Sequence, residues 1–218
     1  MKVIICVSAL FFILSNYAWA SDPSDPGKPD TVYLEYGGIS KGTLTIKVIF
    51  VTDNIGDTNK LAHLAFPLEI TNSNPAAKPV LDTTVAATYS GSAVGGWSFK
   101  GTHVRGNERN PGIFPLTYWL TAFDAGSSLK AGRYHFANIV LRLQDTTTIC
   151  IDTFLMASFR LRFTKVTANA YTPQWKSSCF HSPGSGAGPG SSKNKGKLLP
   201  NSPLPDTGSK KNPQKPGL

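Results

Sequence analysis

Apolar residues in the middle of this chain recur at every second position. Thr43 to Val51 alternates polar and apolar side chains before turning fully apolar, and Tyr134 to Leu143 alternates throughout. Residues two apart share one face of a strand, whereas a helix would gather positions three and four apart. In the second segment the alternation groups His135, Ala137, Ile139, Leu141 and Leu143 as a core face, with Phe136, Val140 and Arg142 opposite. Further strands are predicted over Thr31–Tyr36, Leu61–Ile70, Thr84–Tyr89, Gly96–Gly101, Leu116–Phe123, Thr147–Phe154, Phe159–Thr164 and Ala170–Trp175. Turn-forming clusters separate them, among them Gly37-Gly38, Asp53 to Asp57, Asn72 to Pro75, Asn110 to Gly112 and Ala131-Gly132. No convincing amphipathic helix interrupts this order. The expected fold is therefore all-β: an antiparallel β-sandwich of jelly-roll type with about nine strands, spanning residues 30–181.

The two ends are different material. Lys2, the apolar run Val3–Leu14 and the small-x-small triplet Ala18-Trp19-Ala20 predict a secretory signal peptide over residues 1–20, cleaved after Ala20. That run is too short to cross a bilayer, which needs about 20 apolar residues. No later stretch is apolar enough to span a membrane. Residues 21–29 read as a flexible leader. Residues 182–218 hold seven Pro, seven Gly and six Lys against one Asp, and such a composition predicts a disordered basic tail. Within it, Leu204-Pro205-Asp206-Thr207-Gly208 is similar to a sortase signal but lacks the hydrophobic stretch that would follow one. The expected location is secreted, extracellular or periplasmic.

Charge changes the picture less than its total suggests. The chain has 22 Lys+Arg and 13 Asp+Glu, a formal net charge of +9. Residues 21–181 hold 15 of those bases and 12 of the acids, so the domain carries only +3 while the tail carries +5. This argues against a nucleic-acid surface and leaves the tail free to make weak, salt-screened contact with anionic envelope polymers. With Cys6 in the signal peptide, the mature chain keeps Cys150 and Cys179. An even count in an exported chain makes these a candidate disulfide, with two free thiols as the alternative.

Catalytic chemistry finds no support. There is no G-x-S-x-G elbow, H-E-x-x-H pair or phosphate loop, and the glutamates are only Glu35, Glu69 and Glu108. His63, His103 and His135 stand singly. The loop Asp53–Asn59 offers oxygen donors, but it lacks the order of a calcium loop and reads as an ordinary turn. No cofactor or metal is expected. The aromatic residues carry the functional signal, because exposed rings stack on sugars and anchor protein interfaces. The candidate binding-face aromatics are Trp97, Phe99, Tyr118, Trp119 and Trp175. Alternation makes Trp97 and Phe99 share a face and sends Tyr118 and Trp119 to opposite ones.

Four segments resemble the cohesin-like family of secreted bacterial modules. They are the Gly37-Gly38-Ile39-Ser40 turn leading into Thr43–Val51, the strand Leu61–Ile70, the Gly-led strand Leu129–Leu143, and the closing segment Thr167–Trp175. The resemblance implies a jelly-roll sandwich of roughly nine strands that binds a partner through one sheet face. In cellulosomal cohesins that partner is a dockerin, a small calcium-loaded helical module. The expected function is non-catalytic extracellular recognition of a protein, dockerin-like only by analogy. The alternatives are a carbohydrate-binding module that presents Trp and Tyr to a polysaccharide, and an envelope-associated structural protein.

Overall fold

The computed structural model describes residues 22–74, 77, 79–80, 87–105, 114–143, 145–155 and 160–182. The signal-peptide and tail readings fall outside the described residues, as do Glu108 and the first half of the strand predicted at Thr84–Tyr89. Among the described residues there is no α-helix, and no helix is long and apolar enough to cross a membrane. The only helical turn among the described residues is a short 3-10 segment at Asp57–Asn59.

Two sheets face each other. The six-stranded sheet runs β12(Gln174–Trp175), β1(Thr31–Ser40), β2(Thr43–Thr52), β8(Gly132–Leu143) and β4(Pro79–Val80), with β5(Ala87–Thr88) also on β8. The seven-stranded sheet runs β11(Ala170–Tyr171), β10(Arg162–Lys165), β3(Leu61–Asn72), β7(Leu116–Phe123) and β6(Phe99–Arg105). β9(Thr147–Thr153) joins this sheet along the second half of β3, and β13(Ser178–Ser182) closes on β9. Nine of these strands have four or more residues, and pairing is antiparallel except between β1 and β12. This is the all-β sandwich that the alternation predicts.

The core lies between the sheets. Leu44, Ile46, Val48 and Phe50 of β2 face Leu64, Phe66, Leu68 and Ile70 of β3, all with no exposure. Burying each such side chain contributes about 1.5–3 kcal/mol. Phe66 is at the aromatic centre, with ring centroids 4.2 Å from Phe136, 5.8 Å from Phe163 and 6.4 Å from Phe50.

Two local features change the sequence reading. Gly37-Gly38 is a bulge inside β1, where the register with β2 shifts between Tyr36 and Gly38. An added Cβ at Gly37 would sit 2.9 Å from the Thr45 carbonyl oxygen. The hairpin turn is Lys41-Gly42, both at positive φ, the geometry that suits the twist of a two-residue hairpin. The second feature is a shift between Val48 and Ile49 opposite Phe136, which inserts an extra residue into β8. It inverts the expected facing at one end of β8. Phe136 enters the core and His135 turns outward, while Ala137, Ile139, Leu141 and Leu143 keep the inward positions.

On the outer face of the six-stranded sheet, Ile49 lies outside the core cluster yet is only 1% exposed. Arg133 of β8 reaches across β2 to β1, where its Nε donates to the Tyr33 hydroxyl at 2.9 Å and its Nη2 pairs with Glu35 at 2.6 Å.

The segment Ala170–Trp175 divides into β11 and β12, which belong to opposite sheets. Pro173, which has no N–H to continue a ladder, stands at the crossing. The disulfide is formed. Cys150 and Cys179 are cross-strand partners in the β9–β13 ladder, with their sulfurs 2.04 Å apart. Residues 22–29, expected to be loose, are tied to the domain. The Asp22 carboxylate accepts from Thr172 N at 3.0 Å, and Lys165 Nζ donates to the Ser24 carbonyl at 3.2 Å.

Candidate binding face

The outward face of the seven-stranded sheet gathers the chemistry that the sequence scatters. From Leu64 to Ile70 of β3 and from Leu116 to Ala122 of β7 the even-numbered side chains are buried in the core, so the odd positions between them lie on the other face. Leu61, beyond a register shift, enters the core. The register sets them in rows. Thr164, His63, Phe123 and Phe99 form one row across β10, β3, β7 and β6. Arg162, Ala65, Thr121 and Gly101 form the next, followed by Pro67, Trp119 and His103.

Phe99 and Phe123 are cross-strand partners and stay 54% and 44% exposed. Gly101 accounts for the lie of the Phe99 ring. A Cβ there would be 3.3 Å from Phe99 Cζ and 3.1 Å from Thr121 Cγ2, so the missing side chain leaves the ring room to lie along the sheet. His63 is fastened on both sides, Nδ1 to Thr164 Oγ1 at 3.3 Å and Nε2 to Thr121 Oγ1 at 3.1 Å. Burial lowers its pKa below the ordinary histidine value, and the nearby Arg162 charge lowers it further. The imidazole is therefore biased toward its neutral form and held in one orientation by the two hydroxyls. Its ring meets Phe123 edge-on, at 6.4 Å and 75°.

The strand edge beside the two Phe rings is pinned by turn chemistry. Asp124 accepts from Gly126 N at 2.7 Å and Ser127 N at 3.0 Å through one oxygen, and from Ser98 N at 2.9 Å through the other. These backbone donors favour the charged form and hold the carboxyl below its usual pKa. The Tyr89 hydroxyl donates to the Gly101 carbonyl at 2.7 Å.

The sequence-predicted aromatics do not form one surface. Phe99 is on this face, and Trp119 is half-buried within it. Trp97 and Tyr118 are buried, at 4% and 0% exposure, and offer no ring to a ligand. Residues 89–97 fold into consecutive turns, with Ser92 N bonded to Tyr89 O, Gly95 N to Ser92 O and Trp97 N to Val94 O. Strand parity therefore begins only at Phe99, and Trp97 does not share its face. Trp175 is half-buried in β12, at the edge of the other sheet. Phe123 and His63 are the residues missing from the sequence-based site. Alternation along Leu61–Ile70 already set His63 apart from Leu64, Phe66 and Leu68, but only the β3–β7 register places it beside Phe123.

The loop weighed for calcium disperses its donors. Asp57 pairs with Lys60 at 2.6 Å, Asn59 Nδ2 donates to the Ile55 carbonyl, and Asn54 Nδ2 donates to the Tyr171 hydroxyl.

The fold and this face define a two-sheet β-sandwich with a mixed aromatic and polar surface on its seven-stranded sheet. The chain is similar to the sixth cohesin of Acetivibrio cellulolyticus scaffoldin B, solved in complex with a mutant Cel5 dockerin. Identity is 8% and the TM-score 0.38, over 70% of this chain and 97% of that one. It is also similar to a chain of the CaDoc0917–CaCohA2 complex, at 10% identity and a TM-score of 0.37, over 68% of this chain and 95% of that one. No family model and no curated protein matches the chain.

Proposed function

We propose that this chain is a non-catalytic extracellular recognition module that binds a protein partner through the outer face of its seven-stranded sheet. The observation that carries this reading is the Phe99–Phe123 pair, exposed at paired cross-strand positions, with His63 and Thr121 beside it and Trp119 one row beyond Thr121. Exposed aromatics amid oriented polar groups are the composition of interface cores. A dockerin-type module is the first partner to test, following the resemblance in the sequence. The formed Cys150–Cys179 bridge suits an oxidising compartment, in keeping with the predicted signal peptide.

The test compares the wild-type chain, the double variant Phe99→Ala/Phe123→Ala, and Val51→Ala on the opposite sheet as a control. Each is measured against an immobilised dockerin module, an extracellular protein extract and a polysaccharide array. Truncating both rings is expected to weaken protein binding by about 30-fold or more, on the order of 2 kcal/mol. The control should bind normally, and the melting temperature should stay nearly unchanged because both rings are exposed. Retention on a polysaccharide that the double variant loses would move the assignment to sugar binding. Equal protein binding by wild type and double variant would remove this face from consideration.

A further inference from the structure

A second feature lies under the N-terminal segment and is independent of the recognition face. Residues 22–30 fold over the end of β2 and over β11 through carboxylates. Asp25 Oδ2 accepts from Asp30 N at 2.8 Å, Asp53 Oδ2 from Lys28 N at 2.8 Å, and Asp30 Oδ1 from Asp53 N at 3.1 Å. The Tyr171 hydroxyl donates to Asp30 Oδ2 across a sequence separation of 141, and Asn54 Nδ2 donates to that hydroxyl. Asp25, Asp30 and Asn54 are 8%, 1% and 0% exposed.

The network is short of protons. Asp25 Oδ1, Asp53 Oδ1 and Asn54 Oδ1 are enclosed without a hydrogen-bond donor. Buried acceptors left in that state are costly, and neighbouring carboxylates in a poorly solvated site resist joint ionisation. The surroundings supply little positive charge. Within the segment lie Asp22, the exposed Lys28 and Asp30, and just past the end of β2 comes Asp53. From β11 comes Tyr171, whose own ionisation is suppressed by burial and by Asp30. Lys165, at the end of β10, spends its ammonium on the Ser24 carbonyl, and the Arg160 charge acts on Asp22. No three His, Cys, Asp or Glu side chains among the described residues are arranged to hold a metal ion.

We propose that residues 22–30 are a proton-operated latch, closed while the buried carboxyl cluster beneath them holds a proton and loosened when every carboxylate there is ionised. Burial raises the Asp25 pKa to about 7, with the Asp30, Asp53 and Asp22 charges adding to the rise, and burial also raises that of Asp30. The sign follows from linkage. An acid whose pKa is raised by folding holds its proton more tightly in the closed state, so its contribution is largest at acid pH. That contribution fades as pH climbs through about 7. The segment also forms part of a groove wall. Asp22, Pro23 and Pro29 line a groove of about 1410 Å³ that Tyr33, Leu34 and Trp175 also border.

Amide hydrogen exchange on the full chain, corrected for intrinsic rates, tests this. Between pH 6 and 8.5 the Lys28 and Asp30 amides should lose about tenfold protection relative to Ile46 at the centre of β2. In Asp25→Asn that difference should fall below about twofold, while Asp145→Asn, an exposed control, should behave as wild type. No pH-dependent loss in the wild type, or the same loss in Asp25→Asn, overturns the latch. Restoration of protection at pH 8.5 by millimolar calcium overturns it as well, because a cation would then close the segment. Should Asp25→Asn fail to fold, carboxyl carbon titration of the wild type decides. A midpoint for Asp25 near neutrality supports the latch, and one below about 5 overturns it.

Discussion

Phe66→Ala is expected to cost about 3–5 kcal/mol of folding stability, enough to lower the melting temperature by roughly 10 °C or more. The reason is where the ring sits. Phe66 has no exposure, and it packs on Phe50 and Phe136 from the facing sheet as well as Phe163 from its own. Truncation therefore opens a cavity walled by two sheets whose backbones are held by ladders on both sides, so little collapse can refill it. Phe66→Leu, which keeps most of the volume, should cost less than half as much. Urea unfolding of the three proteins reads the difference. A loss below about 1 kcal/mol for the alanine variant would mean that the ring is not the centre of the core.

Removing the Cys150–Cys179 bridge is the second large effect. The crosslink closes a loop of sequence separation 29, for which chain-entropy reasoning gives about 3–4 kcal/mol. The structure adds a local reason. β13 pairs only with β9, so the bridge fastens the last described strand to the sheet. The double variant Cys150→Ser/Cys179→Ser should unfold at lower urea, and its Phe180 and His181 amides should exchange faster than those of β2. Reduction of the wild type should reproduce the shift. Equal urea midpoints for the reduced and oxidised protein would show that β13 holds without it.

Much of the sandwich was legible before any coordinates. β7 has the bounds that alternation predicted, and β2, β3, β8 and β9 differ by a few residues at their ends. Their inward faces are apolar at every second position, and that local pattern survives any arrangement that buries one side. Misreadings arose where a single residue changes parity or direction. The bulges at Gly37-Gly38 and Phe136 leave no clear mark in the alternation, since both neighbours of each are compatible with a strand. Pro173 divides a predicted strand between sheets, and β13, with its polar Ser178, His181 and Ser182, showed no alternation strong enough to predict it.

The candidate face was less legible for a different reason. The aromatic residues were visible, but exposure depends on which strand lies beside which. Trp97 and Tyr118 point inward, whereas Phe123 and His63 gain their roles from the β3–β7 and β6–β7 registers. The same holds for the carboxyl cluster, where Asp30 and Tyr171 meet across most of the domain.

Composition and periodicity alone thus determined an all-β domain, the basic composition of residues 182–218 and the candidacy of Cys150 and Cys179 for a bridge. These are properties of neighbouring residues, and local sequence carries them. Tertiary structure decided which sheet face stays open, where His63 and Phe123 meet, and why residues 22–30 rest on buried carboxylates. Each of these depends on pairings between residues far apart in the chain, and a register shift of one residue would have reversed every facing.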